Sequence, residues 1–168
     1  MTISMYQASV PVFKRLLTSA GAMLKKAEHY AQQRKIDPNA LLTARLAPDM
    51  YHLIKQVQVA SDLAKGCVAR LAGVDAPKFE DTETTFGELQ ARIAKTTAFL
   101  DTLQPSQIDG SEEKAIELQF PGRTFNFKGL DYLLGFGTPN VYFHVTMVYA
   151  ILRHNGLDLG KADYVGGL

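Results

Sequence analysis

The histidines are the first residues to read for chemistry. The chain carries four, His29, His52, His144 and His154, together with a single cysteine, Cys67. His144 stands in NVYFHVTMVYAILRHNG, residues 140–156, a run that is otherwise almost all apolar. An imidazole in that setting has three uses: metal ligand, catalytic base, or core residue with its ring nitrogens hydrogen-bonded. An open catalytic metal centre takes three imidazoles on one ion, with a position left for water or a thiolate. Two ligands from one helix must lie three or four residues apart to share a face. The positions three and four after His144 are Met147 and Val148, and the position four before it is Asn140. His154 is about 15 Å further along a helix, out of reach of the same ion.

His52 is the other metal candidate, beside Gln56 one turn on, and His29 among Lys25, Lys26 and Glu28 reads as solvated surface. His52 and His144 alone make an incomplete ligand set. The expectation is therefore no cofactor, with a divalent transition metal (zinc, nickel or iron) as the alternative. His144 falls within the Val141/Val145/Val148/Leu152 stripe, which makes it a buried neutral ring seeking a partner. Gln56, Gln58 or a tyrosine hydroxyl are the candidates for that partner, and His144, Gln56 and Tyr142 are the pocket candidates. Other chemistries find less. Ser61-Asp62 and Cys67 have no histidine at a motif spacing, and GxSxG is absent. The glycines of GLDYLLGFGTP do not follow the strand of a βαβ unit, so a phosphate loop is not expected. Cys67 lies on an apolar face and is read as packed.

The elements that position these residues are mostly helical. Phe13, Leu16, Leu17, Ala20, Leu24, Ala27 and Ala31 recur at spacings of three and four, predicting a first helix over about Val10–Arg34 with Ser9 as N-cap. DPNALLTARLAP is a connector with at most a brief helix. The second helix is expected from near Pro48 to about Ala72, stopped by Gly73. Thr85-Phe86-Gly87-Glu88 fits a capping box opening the third, which ends before Pro105. In residues 114–128 the period changes: KAIELQF and RTFNFKG alternate around Pro-Gly, the pattern of a β-hairpin. Thr138-Pro139 reads as N-cap and N1 of the fourth helix, which closes at Asn155-Gly156. The expected fold is all-α: one domain over residues 1–168, an antiparallel four-helix bundle with a small hairpin between helices three and four. The fourth helix is apolar around most of its circumference, so it is either enclosed by the others or shared with a second subunit. A homodimer is the expected assembly.

Eighteen Lys and Arg against seventeen Asp and Glu give a formal net charge of +1, which removes the electrostatic case for nucleic acid or an anionic membrane. The longest apolar run, around 141–152, is broken by His144 and Thr146 and is too short to span a bilayer. The start, MTISMYQASVPVF, lacks a basic region followed by an apolar core, and a lone cysteine suits a reducing compartment. The expected location is cytoplasmic.

PNVYFHVTMVYAILRHNGLDLGKADYVG, the LAPDM…QVQVASDLAKG…ARLAG segment and the hairpin before GLDYLLGFG resemble a bacterial domain-of-unknown-function family, number nineteen ninety-three. The resemblance runs over essentially the whole chain. That family is grouped with the DinB/YfiT-like four-helix bundles, often described as metalloenzymes. The resemblance implies an up-down-down-up bundle, frequently dimeric. In many DinB-like proteins one histidine of the second helix and two of the fourth bind a divalent metal, and some are thiol-dependent transferases or hydrolases. Here the two-histidine half of that set is missing, since only His144 stands on the fourth helix within reach. A dimeric structural or small-molecule-binding module is the expected function, with a metal-dependent enzyme around His144 and His52 as the alternative.

Overall fold

The computed structural model describes residues 2–166. In chain order the elements are α1 (Val10–Arg34), α2 (Pro38–Leu42), α3 (Leu53–Ala72), α4 (Phe86–Asp101), α5 (Pro105–Ile108), β1 (Ala115–Phe120) and β2 (Arg123–Lys128). They continue with α6 (Gly129–Asp131), a π-helical stretch Tyr132–Gly137, α7 (Thr138–His154) and α8 (Lys161–Val165). The protein is mostly helical with one small antiparallel hairpin. Both α1 and α3 pack against both α4 and α7, so the long helices enclose one contiguous cluster of buried apolar side chains. The stripe of α1 supplies Phe13, Leu17 and Leu24, α3 supplies Leu53, Ala64 and Val68, and α7 supplies Val141, Val145, Val148 and Leu152.

Three expected helix starts read differently in the structure. Ser9 is at the N-cap position of α1, but its hydroxyl turns back and donates to the Met5 carbonyl at 2.7 Å, leaving no side-chain cap. The second long helix begins at Leu53 rather than near Pro48. Its N-cap is His52, whose Nδ1 accepts from the Lys55 N–H at 3.3 Å, a post usually held by Ser, Thr, Asp or Asn. Thr138 is no N-cap: α6, the π stretch and α7 form one unbroken helical path, with Gly137 already helical at φ −59°, ψ −58°. Pro139 lacks the N–H for an interior bond and its ring crowds the carbonyl four residues back. The wider π turn just before it absorbs that conflict, and Asn140 Nδ2 donates to the Phe136 carbonyl at 2.7 Å. A Cβ on Gly137 would overlap the Cys67 Sγ, so glycine lets this path lie directly on α3.

The capping box is present as the sequence indicates: Thr85 Oγ1 accepts from the Glu88 N–H at 3.2 Å, and the Glu88 carboxylate accepts from the Thr85 N–H at 3.0 Å. The hairpin also follows its pattern, pairing Phe120 with Arg123 through Ala115 with Lys128 across Pro121-Gly122, where Gly122 takes φ +75°. The base of its inner face is covered at Ile116 and Leu118, whereas Phe120 and Phe125 near the tip are 47% and 42% exposed. Among the described residues no helix is long and apolar enough to cross a membrane.

Candidate functional site: the seam between α3 and α7

The first turn of α3 and the middle of α7 bring His144 and Gln56 together. Gln56 follows the His52 cap by one turn, and its own N–H closes on the His52 carbonyl at 3.0 Å. Its side chain is buried, and Nε2 donates to the Tyr51 carbonyl at 3.1 Å. A backbone carbonyl only accepts, so the amide nitrogen must face Tyr51 and Oε1 must face α7. Oε1 lies 2.7 Å from His144 Nδ1. That contact requires the proton on Nδ1, which leaves the lone pair of the neutral ring on Nε2. Tyr51 C=O, Gln56 and His144 thus form a directional chain that fixes both amide orientation and imidazole tautomer.

His144 is 8% exposed, and burial holds its pKa below the ordinary imidazole value. The ring is neutral at pH 7 and meets the Phe143 ring edge-on at 5.2 Å. Burial, and then the charges of Arg45 and Lys55, lower the pKa of His52. At the surface Tyr51 and Phe143 are each about half exposed. The arrangement can accept one hydrogen bond at His144 Nε2 from a donor arriving over the α3–α7 seam.

Tyr142 is not part of it. Two residues before His144 it lies about 200° around the helix, half-buried against the core and without a hydrogen bond to either partner. Gln58, an equally plausible partner from sequence, stands on another face of α3 and donates to Glu83 at 2.9 Å. His29 and His154 are exposed. Cys67 is buried, and desolvation pushes its thiol up to about 12, so it is no nucleophile at neutral pH.

The donors present do not fit a three-imidazole metal centre. His52 Nδ1 is committed to its cap, His144 Nδ1–H to Gln56, and the Asn140 amide to the Phe136 carbonyl. Among the described residues no group of three His, Cys, Asp or Glu side chains converges as a metal site would require.

A second polar cluster was not anticipated. Arg92 of α4 is 1% exposed, with Nη2 2.8 Å from Asp62 and 3.1 Å from Asp81, and Nη1 2.9 Å from Glu83. Lys65 pairs with Asp62, Lys55 with Asp81 at 2.6 Å, and the Phe79 ring lies 5.6 Å below the guanidinium. Burial alone would raise the carboxyls of Asp81 and Glu83. The hydrogen bonds and charges around them (Lys55 then Arg92 for Asp81; Gln58 and Arg92 for Glu83) outweigh it and hold both below the usual range. The cluster fastens residues 73–85, the connector between the two helices, across α3 and α4. Its signal lay in the helical wheel, since position 92 falls inside the Leu89/Ile93/Thr96/Leu100 stripe where a lone charge must find partners.

Comparison with known proteins agrees with this fold. No curated protein matches the chain. A crystal structure of a DinB family member protein from Shewanella denitrificans is similar, with 39% sequence identity and a TM-score of 0.88, covering 97% of this chain and 92% of that one. The family model described as domain of unknown function (DUF1993) matches residues 5–165. The chain belongs to the DUF1993 family and is related to a DinB family protein.

Proposed function

We propose that this protein is a non-catalytic, homodimeric module on a single up-down-down-up four-helix bundle, one that works in the cytoplasm without a resident metal. The observation that carries the reading is the number of large apolar side chains left bare on the hairpin and the helical path that follows it: Phe120, Phe125, Leu130, Leu134 (55% exposed) and, further along, Phe143 (51% exposed). Together these half-exposed rings and leucines present on the order of 400–500 Å² of apolar surface, more than singly scattered apolar residues leave bare. The committed nitrogens of His52 and His144 support the second half of the proposal, because a metal would have to displace the cap of α3 or break the Gln56 hydrogen bond. Light scattering on the purified chain over a range of concentrations is the test. A dimer is expected, and a monomer at every concentration would end this reading.

A second reading rests on the Nε2 atoms of His52 and His144, which have no hydrogen-bond partner among the described residues. In it they hold a divalent ion for a DinB-like transferase or hydrolase, or His144 Nε2 alone receives the donor group of a small molecule beside Tyr51 and Phe143. Elemental analysis of tag-free protein decides on the metal. A stoichiometric ion lost in His144→Ala would replace the first reading with this one.

A further inference from the structure

The apolar side chains alone fall short of the roughly 800 Å² per partner that a stable interface buries, and the hairpin has more to offer than its rings. We propose that β2 pairs antiparallel with β2 of a second copy about Asn126, joining two hairpins into one four-stranded sheet. This rests on the dimer reading above and gives it a register.

The two-residue loop makes Phe120 and Arg123 a hydrogen-bonded pair, and antiparallel ladders alternate from there. Leu118 with Phe125 and Ile116 with Phe127 are therefore also hydrogen-bonded pairs. The backbone groups of Thr124, Asn126 and Lys128 point the other way, out of the sheet. The sheet has two strands only, and no backbone or side-chain hydrogen bond from the described residues reaches Thr124 or Asn126 on that edge. Thr124, Asn126 and Lys128 are exposed.

This edge is self-complementary. With Asn126 on the two-fold axis, Asn126 exchanges both backbone bonds with Asn126 of the second copy, and each Lys128 N–H meets the other copy's Thr124 carbonyl. No like charges oppose each other. On the inner face Phe125 of one copy lies opposite Phe127 of the other, extending the stack that these two rings already form within one hairpin at 6.4 Å. The bare Phe120 and Phe125 at the tip come to lie under this doubled sheet. The β1 edge cannot do the same, because its outward residue at the matching place is Glu117, which would face another Glu117. That charge also stops the four-stranded sheet from growing further.

The test is the dimer dissociation constant of the full chain by analytical ultracentrifugation, with circular dichroism as the fold control. Asn126→Pro removes an outward N–H that the hairpin itself does not use, and should weaken the dimer roughly tenfold or more. Asn126→Ala keeps the N–H and should bind as the original does, as should Glu117→Pro on the other edge. Asn126→Asp sets two carboxylates against each other on the axis. Its dimer should weaken at neutral pH and recover on acidification relative to the unmodified chain, and it decides the matter if the proline variant fails to fold. A dimer indifferent to both Asn126→Pro and Asn126→Asp, or equally sensitive to Glu117→Pro, would overturn the register while leaving the dimer reading intact. A monomeric parent chain would overturn both.

Discussion

Two irregular segments are fastened to the helical body by opposite chemistry. The connector 73–85 is held by a buried guanidinium whose neighbours Asp62, Asp81 and Glu83 are matched in turn by Lys65, Lys55 and Gln58. The hairpin is held by rings: Phe127 packs on Tyr132 and Phe136 at 5.8 and 5.9 Å, and Phe120 reaches Phe136 at 6.5 Å. In the ionic fastening each carboxylate has its cation or amide, while the buried Arg92 Nε–H has no partner among the described residues. The aromatic one is finished only at its base, leaving half-exposed rings and an unpaired strand edge. The proposed dimer rests on that contrast between paired charges on one segment and bare apolar rings with a free strand edge on the other.

The contrast is broken most forcibly at Arg92. Arg92→Met keeps the bulk of the side chain but takes the cation from the mostly buried Glu83 and from the partly exposed Asp62 and Asp81, a change expected to cost about 2–4 kcal/mol. Chemical denaturation should show that loss, and a shift near zero would mean the connector is held by something else. Acid attacks the same cluster. The folded values of Asp81 and Glu83 lie below their unfolded ones, so the stability they lend is complete above the ordinary carboxylate range and drains away as pH falls through the lowered folded values. Thermal unfolding followed downward from pH 5 should fall more steeply for the parent chain than for Arg92→Met, where the cation that lowers both is gone.

The α3–α7 seam is the intermediate case, polar and built on one amide, with His144 Nδ1 engaged and Nε2 open. Gln56→Leu leaves His144 Nδ1–H buried without an acceptor and should cost about 1–3 kcal/mol. Adding His144→Leu should recover part of that, because the orphaned donor disappears with it, and strict additivity of the two would show that the contact carries no coupling. Burial lowers the folded pKa of His144, so the unfolded ring takes up a proton first as pH drops below about 6.5 and stability declines over that window. The decline should be shallower in the doubly substituted chain, where His52, lowered by burial and by Arg45 and Lys55, still contributes.

What the sequence made legible follows from how local each signal is. The stripe of α1, the Thr85–Glu88 box and the period-two hairpin are set by neighbours a few residues apart, and they stand where the pattern puts them. Gln56 could be named among the partners of His144 because burial of one imidazole demands a polar group from the facing helix, yet choosing it over Gln58 needed the phase of α3. The misreadings arise where a local cue is overruled by its surroundings. Thr138-Pro139 has the look of a helix start, but the π turn lets the chain run through it. Pro48 invites a helix four residues before His52 can cap one. The Arg92 cluster depends on carboxylates from a helix and a connector up to thirty residues away, and only the charge inside the apolar stripe of α4 hinted at it.

The smallest effect on stability is expected at the site with the largest effect on assembly. Phe125 is 42% exposed and touches Phe120 edge-on at 5.8 Å, near the end of a hairpin whose base supplies the anchoring contacts. Phe125→Ser removes only the part of the ring that packs on Phe120 and Phe127 and should change the unfolding free energy of the isolated chain by about 1 kcal/mol. In the proposed dimer the same ring would be covered by Phe127 of the second copy, so the substitution should abolish association at concentrations where the parent chain is paired. Arg92→Met makes the reciprocal prediction, a large loss of stability with pairing retained wherever the chain is folded. If Phe125→Ser instead lowered stability as much as it lowered association, the tip would be part of the monomer's own core. The two fastenings would then differ in chemistry but not in purpose.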